Sequence, residues 1–182
     1  MDNGASSYRR YLNGDEDAFA EIVKEYFDPL VFFVNRYVCD PEAAEDIALD
    51  VFTQLVVHKH RYNFSVTLKT YLFMMGRSRA LDHLKHRKKL TFVALSEAER
   101  LPSAELAPEE VVLRDERKRS VNAAMEQLGE QLRLVLHLVY FEQLSCEEAA
   151  KVLKKNRKQV YNLLYRAKKE LRAILGEEAD SI

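Results

Sequence analysis

The sequence predicts an all-α fold, and three observations carry this prediction. Apolar residues recur at helical spacing along most of the 182 residues. The chain contains only five glycines and four prolines, the residues that most often interrupt helices. No segment alternates apolar and polar residues in the way that a half-buried strand does.

The helices are predicted to form two small domains, because helical periodicity fades between residues 91 and 110. This segment contains Pro102 and Pro108 and carries a net charge of minus four, a composition typical of an extended linker. We therefore expect a first domain at residues 8–89, an acidic linker at residues 90–118 and a second domain at residues 119–176.

The first domain is predicted to contain three long helical segments. An apolar stripe over residues 19–38 indicates one long helix, or two joined helices with a bend at Pro29. Asp40 as N-cap and Pro41 as the first helical residue begin the next helix, whose outer face is acidic. A third helix is predicted from about residue 68 to residue 88, with one apolar row formed by Leu72, Gly76, Ala80 and Leu84.

Two capping boxes mark two closely spaced helix starts in the second domain. Ser145 is followed at the third position by Glu148, and Asn156 is followed in the same way by Gln159. Two capped helices around a tight turn predict a helix-turn-helix, the motif that places its second helix in the major groove of DNA. The positions of the second helix predicted to pack inward are Val160, Leu163, Leu164, Ala167, Leu171 and Ile174. Those predicted to face outward are Lys158, Tyr161, Asn162, Tyr165, Lys169 and Arg172.

Positive charge is concentrated in this motif although the whole chain is nearly neutral. Between Lys151 and Arg172 there are nine basic residues against Glu170 alone, whereas the complete chain has 28 basic and 29 acidic residues. Such segregation is the electrostatic signature of binding to a polyanion. The alternative interpretation is a solvated helix face.

A second basic segment lies in the first domain, next to aromatic residues. Residues 77–89 carry a net charge of plus five and follow Tyr62, Phe64, Tyr71 and Phe73. Cations beside aromatic rings suit single-stranded nucleic acid, because phosphates attract the cations and unstacked bases stack on the rings. Alternatively, the rings belong to the core and the basic run only closes a helix at its negative end.

Other classes of function receive little support from the sequence. We expect no enzyme and no cofactor, because no nucleophile with a base, no phosphate-binding glycine loop and no paired catalytic carboxylates occur. We expect no metal site, since His83, His86 and Asp82 do not form a usual zinc signature. Cys39 and Cys146 indicate unpaired thiols in a reducing compartment, with a redox switch as the alternative. Without a long apolar segment or a secretion signal, we expect a cytoplasmic protein that does not insert into a membrane.

Four segments follow one another in a characteristic order: residues 44–52, residues 68–85, residues 140–150 and residues 164–171. Through these segments the chain, from about residue 14 to residue 175, resembles bacterial RNA polymerase sigma factors of the extracytoplasmic-function (ECF) group of the sigma-70 family. The resemblance implies a transcription initiation factor without activity of its own, which binds core RNA polymerase and directs it to promoter DNA. Many members of this group are also controlled by an anti-sigma protein.

The resemblance also implies functional residues. Those expected to bind core polymerase are Asp46, Asp50 and Phe52. Those expected to open the promoter at its upstream-ten element, partly by capturing a flipped base, are Tyr62, Asn63, Phe64, Ser65, Tyr71, Arg77, Arg79 and Lys85. Those expected at the upstream-thirty-five element are Arg157, Lys158, Tyr161, Asn162, Tyr165, Arg166 and Lys169.

The chain departs from the family pattern at several of these positions. Tyr71 stands where the family often has Trp, and Tyr161 stands where it often has a basic residue. Two other functions stay open at this point. An autonomous helix-turn-helix regulator would bind duplex DNA by itself, and a helical adaptor would bind only protein.

Overall fold

The structure is a computed structural model that describes residues 4–95, 121 and 123–176. Within these residues the secondary structure is helical and contains no strand, which confirms the all-α prediction. The chain divides into two compact units, Met1–Leu106 and Ala107–Ile182. Most of the predicted acidic linker, from residue 96 to residue 118, lies outside the described residues.

The first unit is built from α1 (Ala5–Leu12), α2 (Glu16–Val38), α3 (Pro41–Val57) and α4 (Leu68–Leu95). Polar side chains begin three of these helices, each by accepting a hydrogen bond from a backbone N–H of the first turn. Asp15 accepts from Ala18, and Asp40 accepts from Ala43, both at 3.2 Å. Thr67 accepts from the Thr70 N–H at 3.2 Å. The predicted start of α3 at Asp40 is therefore confirmed.

The core of the first unit surrounds α2, which packs against α1, α3 and α4. The predicted row on α4 is confirmed at Leu72, Gly76 and Ala80, which are all buried. A Cβ at Gly76 would lie 2.7 Å from Leu30 Cδ1 and 3.2 Å from Val34 Cγ2. Glycine at this position therefore allows α4 to approach α2 closely.

Two features of the first unit differ from expectation. The short helix α1 was not predicted. Helix α2 continues through Pro29, which confirms one long helix, the first of the two alternatives that the sequence left open. Helix α4 continues to Leu95, so the basic run over residues 85–89 lies inside the helix. The idea that this run only closes a helix at its negative end is therefore wrong. The proposed core position is right for Phe73, which is fully buried.

The second unit contains α5 (Glu130–Leu136), a π-helical turn (His137–Phe141), α6 (Cys146–Leu153) and α7 (Arg157–Leu175). Residues 123–126 are also helical. Helix α7 packs against α5 and α6 through Val160, Leu164 and Ala167, as predicted. Ile174 was expected to pack but is exposed, which corrects that prediction.

Candidate functional site

One candidate surface of the first unit combines an apolar groove with an acidic face. The groove has a volume of about 460 Å³ and is lined by Phe19, Val23, Phe27, Leu49, Phe52, Thr53, Val56 and Val57. Leu49 is 54% exposed and Val57 is 63% exposed, unusually high values for neighbouring large apolar residues. Asp46 is exposed on α3, whereas Phe52 is buried at the floor of the groove. An apolar patch beside acidic residues is typical of a protein-binding surface.

The loop between α3 and α4 holds the predicted base-capturing residues in a defined conformation. Tyr62 is only 3% exposed, and its hydroxyl donates a hydrogen bond to the Val66 carbonyl at 2.6 Å. The Asn63 side chain accepts from the Ser65 N–H at 3.1 Å, which makes a local turn. Phe64 follows in the left-handed region, with φ of 60°. Tyr62 therefore supports the loop from inside, while Asn63 and Ser65 are exposed.

Aromatic stacking fixes this loop onto α4. The ring of Tyr62 lies 5.0 Å from the ring of Tyr71 and 4.6 Å from the ring of Phe64, measured between centroids. Burial raises the pKa of Tyr62 from its usual value of 10.0. The predicted residues of the loop and Tyr71 are thus brought together in space, but Tyr62 itself is covered by its neighbours.

The three predicted cations of α4 occupy different environments. Arg79 is paired with Asp50 on α3, with Nε at 3.1 Å from the carboxylate oxygen. Lys85 lies 3.4 Å from Asp82 and is well exposed. Arg77 is half-buried, and its buried Nε has no hydrogen-bond partner within the described ranges. The face of α4 is therefore less uniformly available to a polyanion than its sequence suggests.

In the second unit both predicted capping boxes are present. Ser145 Oγ accepts from the Glu148 N–H at 3.2 Å, while the Glu148 side chain accepts from the Ser145 N–H at 2.9 Å. Asn156 and Gln159 make the same reciprocal pair, with both distances 2.8 Å. Lys154 occupies the turn in the left-handed conformation. The helix-turn-helix is therefore confirmed.

The outer face of α7 carries all seven residues predicted for duplex DNA, and each is exposed: Arg157, Lys158, Tyr161, Asn162, Tyr165, Arg166 and Lys169. Tyr165 is 72% exposed, which is unusual for an aromatic side chain. The guanidinium of Arg157 lies 5.4 Å from the Tyr161 ring centroid and 2.9 Å from Glu147. A hydrogen bond with the Tyr161 hydroxyl and the nearby Glu147 charge raise the pKa of Arg157. Arg166 lies 3.8 Å from Glu170.

A second apolar groove, of about 330 Å³, was not predicted from the sequence. It lies in the second unit and is lined by Val121, Met125, Leu136, Tyr140, Phe141, Lys168, Leu171, Arg172 and Leu175. Tyr140 and Phe141 lie in the π-helical turn and are about half exposed. Two adjacent aromatic residues before the capped helix were the only local signal for this groove.

The described residues show neither a metal site nor a membrane-spanning helix. Within residues 4–95 and 121–176, as far as they are described, no group of three or more His, Cys, Asp or Glu side chains is placed to hold a metal ion. In the same part of the chain, no helix is long and apolar enough to cross a membrane.

Two family models match the chain, one in each unit. The model described as Sigma-70 region 2 matches residues 22–90, and the model described as Sigma-70, region 4 matches residues 118–171. Together the matched ranges cover more than half of the chain. The chain belongs to the sigma-70 family. It is a transcription initiation factor that directs RNA polymerase to promoters.

Known proteins similar to this sigma factor place it in the ECF group. It is 29% identical to the RNA polymerase sigma-H factor of Pseudomonas aeruginosa over 171 residues, which cover 89% of this chain and 88% of that protein. It is 26% identical to the ECF RNA polymerase sigma factor SigM of Bacillus subtilis over 155 residues, which cover 85% and 93% of the two chains. The resemblance inferred from the sequence is therefore confirmed, and the autonomous regulator is not favoured.

Two solved structures share the fold of this sigma factor. The sigma factor RpoE, solved in complex with the anti-sigma factor NepR from Bartonella quintana, is 20% identical with a TM-score of 0.64, covering 86% of this chain and 96% of that one. CnrH, solved in complex with the cytosolic domain of CnrY, is 20% identical with a TM-score of 0.60, covering 98% and 96%. At this level of identity the likeness shows the fold alone.

Proposed function

We propose that the two units of this sigma factor divide promoter recognition between them. The first, residues 8–89, binds core RNA polymerase and opens the upstream-ten element. The second, residues 119–176, reads the upstream-thirty-five element, and residues 90–118 link the two. The observation that carries this proposal is that each unit exposes its own basic or aromatic surface suited to nucleic acid. In the first unit this surface is formed by α4 and by residues 61–67 of the loop between α3 and α4, called the 61–67 loop below. In the second unit it is formed by α7.

The acidic face and groove of α3 form the polymerase-binding surface in this proposal. Asp46 and Asp50 supply negative charge, which guides a basic partner and fixes its register. The groove floored by Phe52 supplies apolar area, and the exposed Leu49 and Val57 extend that area toward solvent. A partner that offers apolar side chains flanked by basic ones fits both features.

The loop over residues 61–67 is the part that captures an unstacked base. Support comes from the ring contact between Tyr62 and Tyr71, 5.0 Å between centroids, which joins the loop to α4. Asn63 and Ser65 are exposed at its tip and offer hydrogen bonds to a base edge. Arg77, Arg79 and Lys85 lie further along α4 and attract the phosphate backbone, with Arg79 exchanging Asp50 for phosphate.

Helix α7 reads the upstream-thirty-five element from the major groove. Its N-terminal turns expose Lys158, Tyr161 and Asn162, and this is the part of a recognition helix that meets base edges. An asparagine there suits adenine, whereas Lys158, Arg166 and Lys169 suit phosphates. The capped turn between α6 and α7 fixes the angle at which these side chains are presented.

This sigma factor is proposed to act in the cytoplasm with core polymerase, without catalysis or a cofactor of its own. We also propose an anti-sigma protein as a partner. The support is that the sigma factor RpoE, which shares the fold, was solved in complex with the anti-sigma factor NepR. CnrH, which also shares the fold, was solved in complex with the cytosolic domain of CnrY.

The proposal is tested by adding the purified full chain to core polymerase and a library of promoter fragments. We expect selection of fragments with two conserved elements and formation of open complexes at the downstream one. Binding to core polymerase without specific open complexes would contradict the proposal. Tight binding to a symmetric duplex site without polymerase would instead support an autonomous regulator.

A further inference from the structure

Helix α1 lies before residues 22–90, the range matched by the region 2 model, and it contacts the 61–67 loop. Tyr8 is fully buried, and its hydroxyl donates hydrogen bonds to the carbonyls of Leu55, at 3.3 Å, and Lys59, at 2.7 Å. Its ring centroid lies 5.4 Å from that of Tyr62 and 6.2 Å from that of Phe64. Helix α1 is therefore anchored beneath the loop through Tyr8.

The next residue of α1, Arg9, covers the ring of Phe64. The guanidinium carbon of Arg9 lies 4.8 Å from the ring centroid, within the range of a cation–π interaction. Arg9 is exposed and Phe64 is half-buried. Phe64 has a positive φ of 60°, which is uncommon for a bulky residue, so surrounding contacts must hold it. Arg9 and Tyr62 provide such contacts on the ring of Phe64.

Within the described part of the chain no carboxylate pairs with Arg9, whereas two pair with its neighbour Arg10. Arg10 is paired with Asp15 at 2.6 Å and with Glu21 at 2.9 Å. Arg9 has no carboxylate partner among the residues that the structure describes. A planar cation that rests on an aromatic ring and lacks a counter-ion offers a stacking face for a base and a charge for the adjacent phosphate.

We propose that Arg9 and Phe64 together form one stacking platform for an unstacked nucleotide of the promoter's opened strand. The platform adds Arg9 to the base-capturing function proposed for the 61–67 loop, and it depends on that proposed function. Arg9 thus adds a nucleic-acid contact from a helix that precedes the matched family region. The nucleotide stacks against the outer face of the Arg9 guanidinium, while the Phe64 ring supports the inner face.

The test uses the full chain assembled with core polymerase and a promoter fragment that carries a fluorescent base analogue in the upstream-ten element. Opening is compared for wild type, Arg9→Ala, Arg9→Lys, Phe64→Ala, Ser65→Ala and the double variant Arg9→Ala/Phe64→Ala. Arg10→Ala is the matched control, because it removes the same charge one position away. Binding of each holoenzyme to the unpaired strand alone is measured in parallel.

We expect Arg9→Ala to lower both opening and single-strand binding by about 3- to 10-fold. Arg9→Lys should recover only part of the loss, because an ammonium group has no planar face. Arg10→Ala should behave like wild type. In the Phe64→Ala background, Arg9→Ala should add less than about a twofold further loss, since residues that act as one platform are not additive.

The outcomes separate this proposal from the function on which it rests. If Phe64→Ala and Ser65→Ala leave opening unchanged, the function proposed for the loop fails, and the platform fails with it. If Phe64→Ala lowers opening but Arg9→Ala does not, only the platform is overturned. Fully additive losses would also overturn the platform, because they would show that Arg9 and Phe64 act independently. An equal loss in Arg10→Ala would overturn it too, because it would show that Arg9 contributes only general positive charge.

Discussion

Arg79 of α4 and Asp50 of α3 form an ion pair, with 3.1 Å between Nε and the carboxylate oxygen. The family resemblance implied different partners for these residues, polymerase for Asp50 and promoter DNA for Arg79. Their side chains are 45% and 42% exposed, so solvent screens the pair and either member can exchange its partner at little cost. A substitution at Asp50 therefore disturbs both candidate surfaces, and Asp46 is the better probe of polymerase binding.

Changing Asp46 to Lys should weaken binding to core polymerase without unfolding the protein. Asp46 is exposed on α3 beside the apolar groove, so the reversed charge repels a basic partner but disturbs no core contact. We expect a loss of about 1 to 3 kcal/mol in binding free energy, measured by competition with a labelled sigma factor for core polymerase.

Glu25→Lys is the control for this experiment, because Glu25 is an exposed carboxylate on α2 that does not line the groove. It should compete as well as wild type. Equal competition by Asp46→Lys would exclude the acidic face of α3 as the docking surface, and equal weakening by both variants would point to net charge alone.

Changing Arg166 to Ala should lower promoter use and reduce its dependence on salt. Each lost phosphate contact lowers the slope of log affinity against log salt by about one unit. Promoter binding by the holoenzyme, followed over a range of salt concentrations, measures both effects.

Glu170→Ala is the control, because it removes a negative charge from the same face of α7 and should not lower promoter use. Glu170 lies 3.8 Å from Arg166 and competes with phosphate for it, so its removal should maintain or raise promoter use. An unchanged salt slope in Arg166→Ala would argue against a phosphate contact at this position.

Changing Ser145 to Ala should loosen α6 locally, because it removes the acceptor for the Glu148 N–H. Loss of such an N-cap costs about 1 kcal/mol, which is roughly a fivefold increase in local opening. Hydrogen–deuterium exchange of α6 in the full chain measures this directly. Ser145→Thr keeps the hydroxyl that accepts from the Glu148 N–H and donates to the Glu148 carboxylate, so it should protect α6 nearly as well as wild type. Identical exchange in the Ala and Thr variants would show that the cap contributes nothing.

The first unit should lose stability in alkali because of Tyr8. Burial, reinforced by the neighbouring tyrosines, raises the pKa of Tyr8 well above its usual value of 10.0. The unfolded chain therefore releases this proton at lower pH than the folded chain does. The stabilisation is fully present below the unfolded pKa and is lost as the pH rises through the folded pKa.

Thermal unfolding of wild type and Tyr8→Phe, compared between about pH 9 and pH 11, tests this prediction. The phenylalanine variant should be less stable at neutral pH, because the hydrogen bonds to Leu55 and Lys59 are lost, but its melting temperature should fall less in alkali. Tyr165→Phe, which alters an exposed side chain, should follow wild type. Parallel alkaline curves for wild type and Tyr8→Phe would contradict the assignment.

Features that depend on a few adjacent residues were predicted well. The caps at Asp40, Ser145 and Asn156 each use a side chain and a backbone N–H within three residues, so sequence spacing specifies them. The outward face of α7 follows from helical periodicity alone. The extension of α4 to Leu95 was missed because Thr91, Phe92 and Val93 are weak helix formers and helical periodicity fades from residue 91 onward.

Features that join distant residues were not predicted. The Tyr8 hydroxyl reaches a carbonyl 51 residues away, and no local pattern indicates that α1 lies beneath the loop. Tyr62 was expected to meet a base, but the surrounding rings of Tyr8, Phe64 and Tyr71 cover it. Whether an aromatic side chain supports a loop or faces solvent depends on which helices pack around it.

The sequence by itself determined the all-α class, the helix-turn-helix and the membership of the sigma-70 family, because capping, periodicity and motif order are local properties of the chain. Only the tertiary structure decided which members of each predicted surface are available. Asp50 and Arg79 form an ion pair because α3 packs against α4. Tyr62 is buried and Arg9 lies on the ring of Phe64 because α1 packs under the 61–67 loop. Such contacts depend on the arrangement of helices in space, which short-range sequence spacing does not encode.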